Sequence, residues 1–113
     1  MNPGGAVIAR TWRGWVRTED RAAYVDYIER TGMAGYRTTP GNQGAWMLAR
    51  DLDDGRTEIV TLSFWASAEA IRGFAGDDIE RAKFYSEDGD YLIEREQTVT
   101  HHEVTVHQLP DPN

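Results

Sequence analysis

The stretch TEIVTLSFWASAEAIRGFAG, Thr57 to Gly76, constrains the fold more than any other part of this chain. Alternation from Thr57 to Trp65 predicts a strand, because strand side chains point to opposite faces with period two. Ser67 then stands where a helix N-cap belongs, and Ala68, Ile71, Phe74 and Ala75 recur at helical spacing as far as Gly76. On the strand, Val60, Leu62 and Phe64 form a purely apolar face that is expected to seat helices. Ile59, Thr61, Ser63 and Trp65 form the other, a mixture of aliphatic, hydroxyl and indole groups that suits the wall of a cavity.

Upstream, Ala6 to Val16 alternates as a first strand, after a frayed start at Met1 to Gly5. Ile8, Arg10, Trp12 and Gly14 share one face, and Gly14 inside a strand marks a bulge or a close backbone approach. Thr18 is read as the N-cap of a helix reaching about Thr31, with Glu19 and Asp20 complementing the dipole in its first turn. Ala23, Tyr24, Tyr27 and Ile28 are its expected buried stripe, and Gly32 its left-handed cap. Met33 to Gly44 reads as a loop of turn formers. Gly44 to Asp51 alternates again, and Asp53-Asp54-Gly55 turns it into an antiparallel hairpin with the Thr57 strand. Beyond Gly76, Asp77 and Glu80 have capping-box spacing for a short helix through Phe84. Ser86 to Asp90 reads as a solvated acidic turn, and Gln97 to Gln108 as a last strand before the LPDPN tail.

Strand, helix, hairpin, helix, strand is the β-α-β-β-α-β order of an α+β, ferredoxin-like fold: a four-stranded antiparallel sheet with both helices on one face. The 113 residues are expected to form one domain with its core at about residues 6–108. The second sheet face then carries Trp12 or Trp15, Trp46 or Met47, and Ile59 or Trp65, too much apolar surface to leave in water. A homodimer with its sheets facing one another is expected.

Composition removes several function classes. A net charge of −7 with scattered arginines repels phosphate backbones and anionic lipid, so no nucleic-acid or membrane partner is expected. The absence of cysteine excludes disulfides, thiolate catalysis and Fe–S clusters. No apolar run approaches the roughly 20 residues of a membrane span, and MNPGGAVIAR lacks the regions of a signal peptide, so a cytoplasmic location is expected.

LSFWASAEAIRGFAG, Leu62 to Gly76, with the nearby IERAKFY, Ile79 to Tyr85, resembles the antibiotic biosynthesis monooxygenase (ABM) type of the dimeric α+β barrel superfamily. The likeness runs from about Val7 to Val106 and rests on a strand ending in Trp followed by a Ser-capped helix. It implies the fold above and a dimer. It also implies either a cofactor-independent monooxygenase acting on phenols or hydroquinones, or one of the family's small proteins without assigned turnover. The haem-degrading branch is similar to an arrangement with Asn in strand one, Trp closing the second helix and a ligating His beyond it. Those positions fall near Trp12, Phe74 and Lys83, none of which matches, so haem degradation is not expected.

No metal or cofactor motif emerges from the residues. His101 and His102 are sequence neighbours that a strand sends to opposite faces, and His107 lies about 20 Å along the strand from His101. Ser63 lacks the G-x-S-x-G elbow of a serine nucleophile, and no glycine-rich phosphate loop occurs. What remains is an aromatic cavity, with Trp12, Trp46, Trp65, Tyr36, Ser63 and Arg10 as candidate contacts for a small aromatic molecule. His101 or His102, and after them Tyr85, are the candidate bases that would deprotonate a phenol. The resulting electron-rich anion reduces O₂ directly, so the protein need supply only a base, a dry pocket and orientation. The same residues equally suit core packing or a non-catalytic dimer that binds a small molecule.

Overall fold

The hairpin at Asp53-Asp54-Gly55 is the spine of the fold. In a computed structural model, which describes residues 6–112, strands Asn42–Asp51 (β2) and Arg56–Trp65 (β3) pair antiparallel. Gly55 closes the turn at φ 85°, a left-handed value that glycine adopts without strain. Strand Ile8–Arg17 (β1) takes the other edge of β3, in a register that places Arg10 opposite Ser63 and Trp12 opposite Thr61. The expected start at Met1 to Gly5 lies outside the described residues.

The expected last strand, Gln97 to Gln108, is instead one short strand, and an unexpected second one precedes it. Leu92–Arg95 (β4) and Thr100–Glu103 (β5) both pair with the free edge of β1, one along Gly14–Val16 and the other along Ile8–Thr11. The gap between them has a cause. At Gln97 to Val99 the chain turns away from β1 to bond an irregular neighbour, through Ala82 N–H to Gln97 O and Val99 N–H to Glu80 O, both 2.9 Å. Residues 77–84 therefore form the partner of that detour rather than the expected short helix. The sheet order is β2-β3-β1-β4, with β5 also on β1.

The first helical region differs from expectation at both ends. A 3-10 turn at Thr18–Asp20 leads into helix Arg21–Arg30 (α1), and Thr18 makes no side-chain cap. Its hydroxyl instead contacts that of Thr57 at 2.9 Å, while Thr57 donates to Asp51 at 2.7 Å. Gly32 does not end the helical run. It opens a second helix, Gly32–Thr38 (α2), where a loop was expected, and is itself buried. A Cβ at Gly32 would sit at ordinary contact distance from Ile28 and Tyr85, and the backbone there does not enter the left-handed region, so no left-handed cap forms. Ser67 caps helix Ala68–Ala75 (α3) as expected, accepting from Ala70 N–H at 3.1 Å. Tyr24, Tyr27 and Ile28 of α1, and Ile71 and Phe74 of α3, are buried against the sheet, whereas Ala23 is exposed.

The two faces of β3 are the reverse of the sequence reading. Thr57, Ile59, Thr61, Ser63 and Trp65 are buried beneath the helices, and Val60, Leu62 and Phe64 lie on the open face. The hydroxyls tolerate burial because they find partners: Ser63 Oγ accepts from the Trp65 indole N–H at 2.8 Å, and Thr57 bonds Asp51. The apolar row gathers instead with Trp46, 52% exposed, and Leu48, 47% exposed, on a face that no helix of the described residues covers. The shortest dimension of the molecule, 21 Å, is that of one sheet and one helix layer. Among the described residues no helix is long and apolar enough to cross a membrane.

Candidate functional site

The row Arg10, Trp12 and Thr61 of the covered sheet face bounds a cavity of about 40 Å³ beneath the helices. Its remaining walls are Tyr24 and Ile28 of α1, Gly32 and Tyr36 of α2, Phe74 of α3, and Ala82 to Tyr85 with Asp88 and Val99. Its rings hold one another in place. Tyr36 stacks on Phe74 with centroids 4.6 Å apart, and Phe84 meets Trp12 edge-on at 6.1 Å. The Trp12 indole N–H donates to Glu96 O at 2.7 Å, which ties the ring to the detour between β4 and β5. A side chain on Gly14 would collide with that ring, so the glycine marks a close approach.

Arg10 is 3% exposed, an uncommon position for a guanidinium. Burial lowers its pKa, against the raising influence of Tyr36 and Glu80. Its Nη1 donates to Ile79 O and to His101 Nε2 (3.1 Å), and its Nη2 donates to Arg81 O at 3.1 Å. Three of five N–H donors are thereby engaged, and these bonds carry the irregular segment from Ile79 to Arg81 onto the sheet. His101, opposite Arg10 in the β1–β5 register, turns its Nδ1 to Glu80 Oε2 at 3.1 Å. Burial holds the His101 imidazole below its ordinary pKa, opposed by the bond to Glu80 and assisted by Arg10.

Of the residues singled out in the sequence, Arg10, Trp12, Tyr36 and Tyr85 meet at the cavity. Ser63 and Trp65 lie one step away, in a cluster with Tyr36, Ile71 and Phe74, where Trp65 is wholly buried. His101 stands behind Arg10, outside the cavity wall. His102, paired with Ala9, is exposed on the opposite sheet face. Trp46 is on that same open face, edge-on to Phe64 at 5.6 Å, and cannot touch a molecule held with Trp12.

Sequence reasoning missed Tyr24, Phe74, Lys83, Phe84 and Asp88 as cavity residues. Lys83 Nζ donates to Phe74 O at 2.9 Å and lies 4.6 Å from the centre of the Phe74 ring. Asp88 corrects the reading of a solvated acidic turn: it opens a single helical turn, Asp88–Tyr91 (α4), and is 2% exposed. The one available signal was aromatic flanking, since Phe84, Tyr85 and Tyr91 bracket the acids. Burial raises the phenols of both Tyr24 and Tyr85, and the nearby Asp88 carboxyl adds to each. Among the described residues, no three His, Asp or Glu side chains converge as a metal site would require.

No protein-family model matches the sequence, and no curated protein does. Solved structures do, and they define an ABM-like, ferredoxin-like α+β fold. A Bacillus cereus protein described as a candidate antibiotic biosynthesis monooxygenase has a TM-score of 0.66 and 17% identity, over 94% of this chain and 100% of that one. A Streptomyces coelicolor monooxygenase solved in complex with nanaomycin D gives 0.60 and 16% identity, covering 97% of this chain and 96% of its own. SnoaB, a cofactor-independent oxygenase from Streptomyces nogalater, gives 0.54 and 17% identity, covering 93% of this chain and 97% of its own. At such identities the shared property is the fold.

Proposed function

We propose that this chain is a cofactor-independent monooxygenase that oxidises a small phenol or hydroquinone in the cavity between sheet and helices. The observation that carries the reading is the pairing of a buried guanidinium, Arg10, with an aromatic wall of Trp12, Tyr24, Tyr36, Phe74 and Tyr85. Such a wall orients a flat ring, and a desolvated cation favours the phenolate over the phenol. The solved structures of this fold add support, because all three are described as oxygenases, one of them as a candidate, and one was solved with a bound ligand, nanaomycin D.

The chemistry balances without a further reductant. For a ring whose carbon para to the phenolic oxygen carries hydrogen, the phenolate gives one electron to O₂ and the two radicals join at that carbon; a simple 1,4-hydroquinone would instead give quinone and hydrogen peroxide. Loss of water from the resulting hydroperoxide leaves a quinone. One oxygen atom enters the product and the other leaves in water. The cavity must widen to admit a ring, and its least regular wall, Ala82 to Tyr85, is the part that can yield.

A second reading, a dimer that binds a small molecule without turnover, draws on the same aromatic wall, and the size of the cavity weighs against both. At about 40 Å³ the cavity holds a few waters at most, far below the several hundred Å³ of typical ligand pockets. Oxygen uptake by the purified protein over a panel of phenols and hydroquinones separates the two. Uptake above the protein-free rate supports the oxygenase, and binding without uptake supports the module. Both readings include a homodimer. The open face carries Trp46, Leu48, Leu62 and Phe64 around an apolar groove of about 550 Å³, and a second copy would cover it sheet to sheet.

A further inference from the structure

Asp88 combines burial with an unused acceptor in the wall of the cavity. The residue is 2% exposed, and its Oδ2 accepts the backbone N–H of Tyr85. Among the described residues no hydrogen bond of good geometry reaches Oδ1, although that atom is buried; the Tyr24 hydroxyl beside the carboxyl interacts with it without completing one. Buried polar atoms are nearly always paired, and an unpaired carboxylate oxygen is costly. The same side chain lines the cavity that Arg10, Tyr24 and Tyr85 line. An acceptor left open at an aromatic-walled cavity suits a ligand that brings its own hydroxyl.

We propose that Asp88 Oδ1 accepts the hydroxyl proton of a phenolic ligand bound in this cavity, and so acts as the proton acceptor of the oxidation. The inference rests on the reading of the cavity as a phenol site. In the step itself the phenol O–H bond breaks, an Oδ1–H bond forms, and the electron pair stays on the phenolic oxygen. The proton later returns to the hydroperoxide oxygen that departs as water.

The surroundings keep the carboxylate chargeable while weakening its hold on that charge. Burial raises the Asp88 carboxyl above its ordinary range, opposed by the Tyr85 N–H, by Arg95 of β4 and by Tyr24 of α1. A stronger base than a solvated aspartate narrows the gap to a phenol, which favours proton transfer. Arg10, on the sheet wall of the same cavity, supplies positive charge for the phenolate that results.

The test compares binding of 2-naphthol and 2-methoxynaphthalene to the full chain and to Asp88→Asn, by equilibrium dialysis. Asparagine keeps an oxygen for Tyr85 N–H but offers no carboxylate. Wild type is expected to bind the phenol roughly tenfold to hundredfold more tightly than its methyl ether, as a charge-assisted hydrogen bond requires. The variant is expected to lose that preference. A second measurement needs no variant: in wild type labelled with ¹³C at aspartate carboxyls, one resonance should move with 2-naphthol and stay still with the ether. Equal binding of both compounds to wild type, a preference that survives in Asp88→Asn, or a still spectrum overturns the role of Asp88 and leaves the cavity reading standing. Binding of neither compound overturns both. A preference for the phenol without oxygen uptake upholds Asp88 as the acceptor and removes only the turnover.

Discussion

Arg10 Nη1 lies 3.1 Å from His101 Nε2, and this contact fixes the state of both side chains. A guanidinium has only donors, so Nε2 must be the acceptor and His101 must be neutral, with its proton on Nδ1 facing Glu80. The basic nitrogen of His101 is thus occupied by Arg10 rather than open to the cavity. We read His101 as a positioning residue that holds the guanidinium against the cavity wall.

A pH dependence follows from the lowered pKa of His101. The unfolded chain takes up the imidazole proton near pH 6.5, before the folded chain does. The unfolded state therefore gains on acidification, and the folded state loses stability as pH falls from about 7 through the unfolded value and on through the folded one. Thermal melts of wild type and His101→Gln between about pH 7.5 and pH 5 should diverge, with wild type losing more. Parallel curves would show that the imidazole does not titrate against Arg10.

His101→Leu should release Arg10, whereas His101→Gln should keep it, because a glutamine oxygen can accept from Nη1. Hydrogen exchange at Ala82 and Val99, whose N–H groups bond Gln97 O and Glu80 O, reads out that release. Faster exchange in His101→Leu with rescue in His101→Gln is the expected pattern.

Arg10→Met removes three hydrogen bonds that reach Ile79, Arg81 and His101. The acceptors left behind each cost about 1–3 kcal/mol if they stay dry, so a total loss of roughly 2–4 kcal/mol is expected after partial rehydration. Urea unfolding measures it, and a loss under about 0.5 kcal/mol, the scale of an ordinary surface substitution, would mean that the guanidinium is not structurally integrated.

Trp65 and Ser63 form a closed buried pair through one 2.8 Å hydrogen bond. Ser63→Ala should cost about 1–3 kcal/mol by stranding the indole N–H. In Trp65→Phe, which has no N–H to strand, the same serine change should cost less. A double-mutant cycle by urea unfolding gives the coupling, and strict additivity would contradict the pairing.

Phe64→Lys on the open face should leave the fold intact and halve the mass in solution, since Phe64 and Trp46 would lie at the centre of the dimer contact. Light scattering after size exclusion is the measurement. A wild-type chain already monomeric at micromolar concentration would contradict the dimer.

Helices α1 and α3 and the hairpin were legible because their signals are local: Ser67 caps, Gly55 turns, and Tyr24, Tyr27 and Ile28 repeat at helical spacing; α2 and α4 were read as loop and turn. Face assignment failed for a physical reason. Thr57 and Ser63 look polar in sequence, but partnered hydroxyls can be buried, while the apolar row Val60, Leu62 and Phe64 lies where no helix of the described residues reaches. Gly32 misled because glycine often ends helices, whereas here its backbone stays out of the left-handed region and the chain continues into α2. At the cavity, Arg10, Trp12, Tyr36 and Tyr85 could be named from the fold. Asp88 and Lys83 could not, because their placement depends on how residues 77–91 return to the sheet, which no local pattern encodes.

The central claim is oxygenation of a phenol in this cavity, and isotope labelling tests it most directly. The purified protein, freed of added metals and cofactors, is given ¹⁸O₂ and a phenol with an open para position, and the product is weighed by mass spectrometry. The account predicts a quinone carrying one ¹⁸O atom, formed at a rate that falls at least about tenfold in Arg10→Met, as loss of a charged transition-state contact implies. A product without the label, or no product above the protein-free control across the panel, would contradict it.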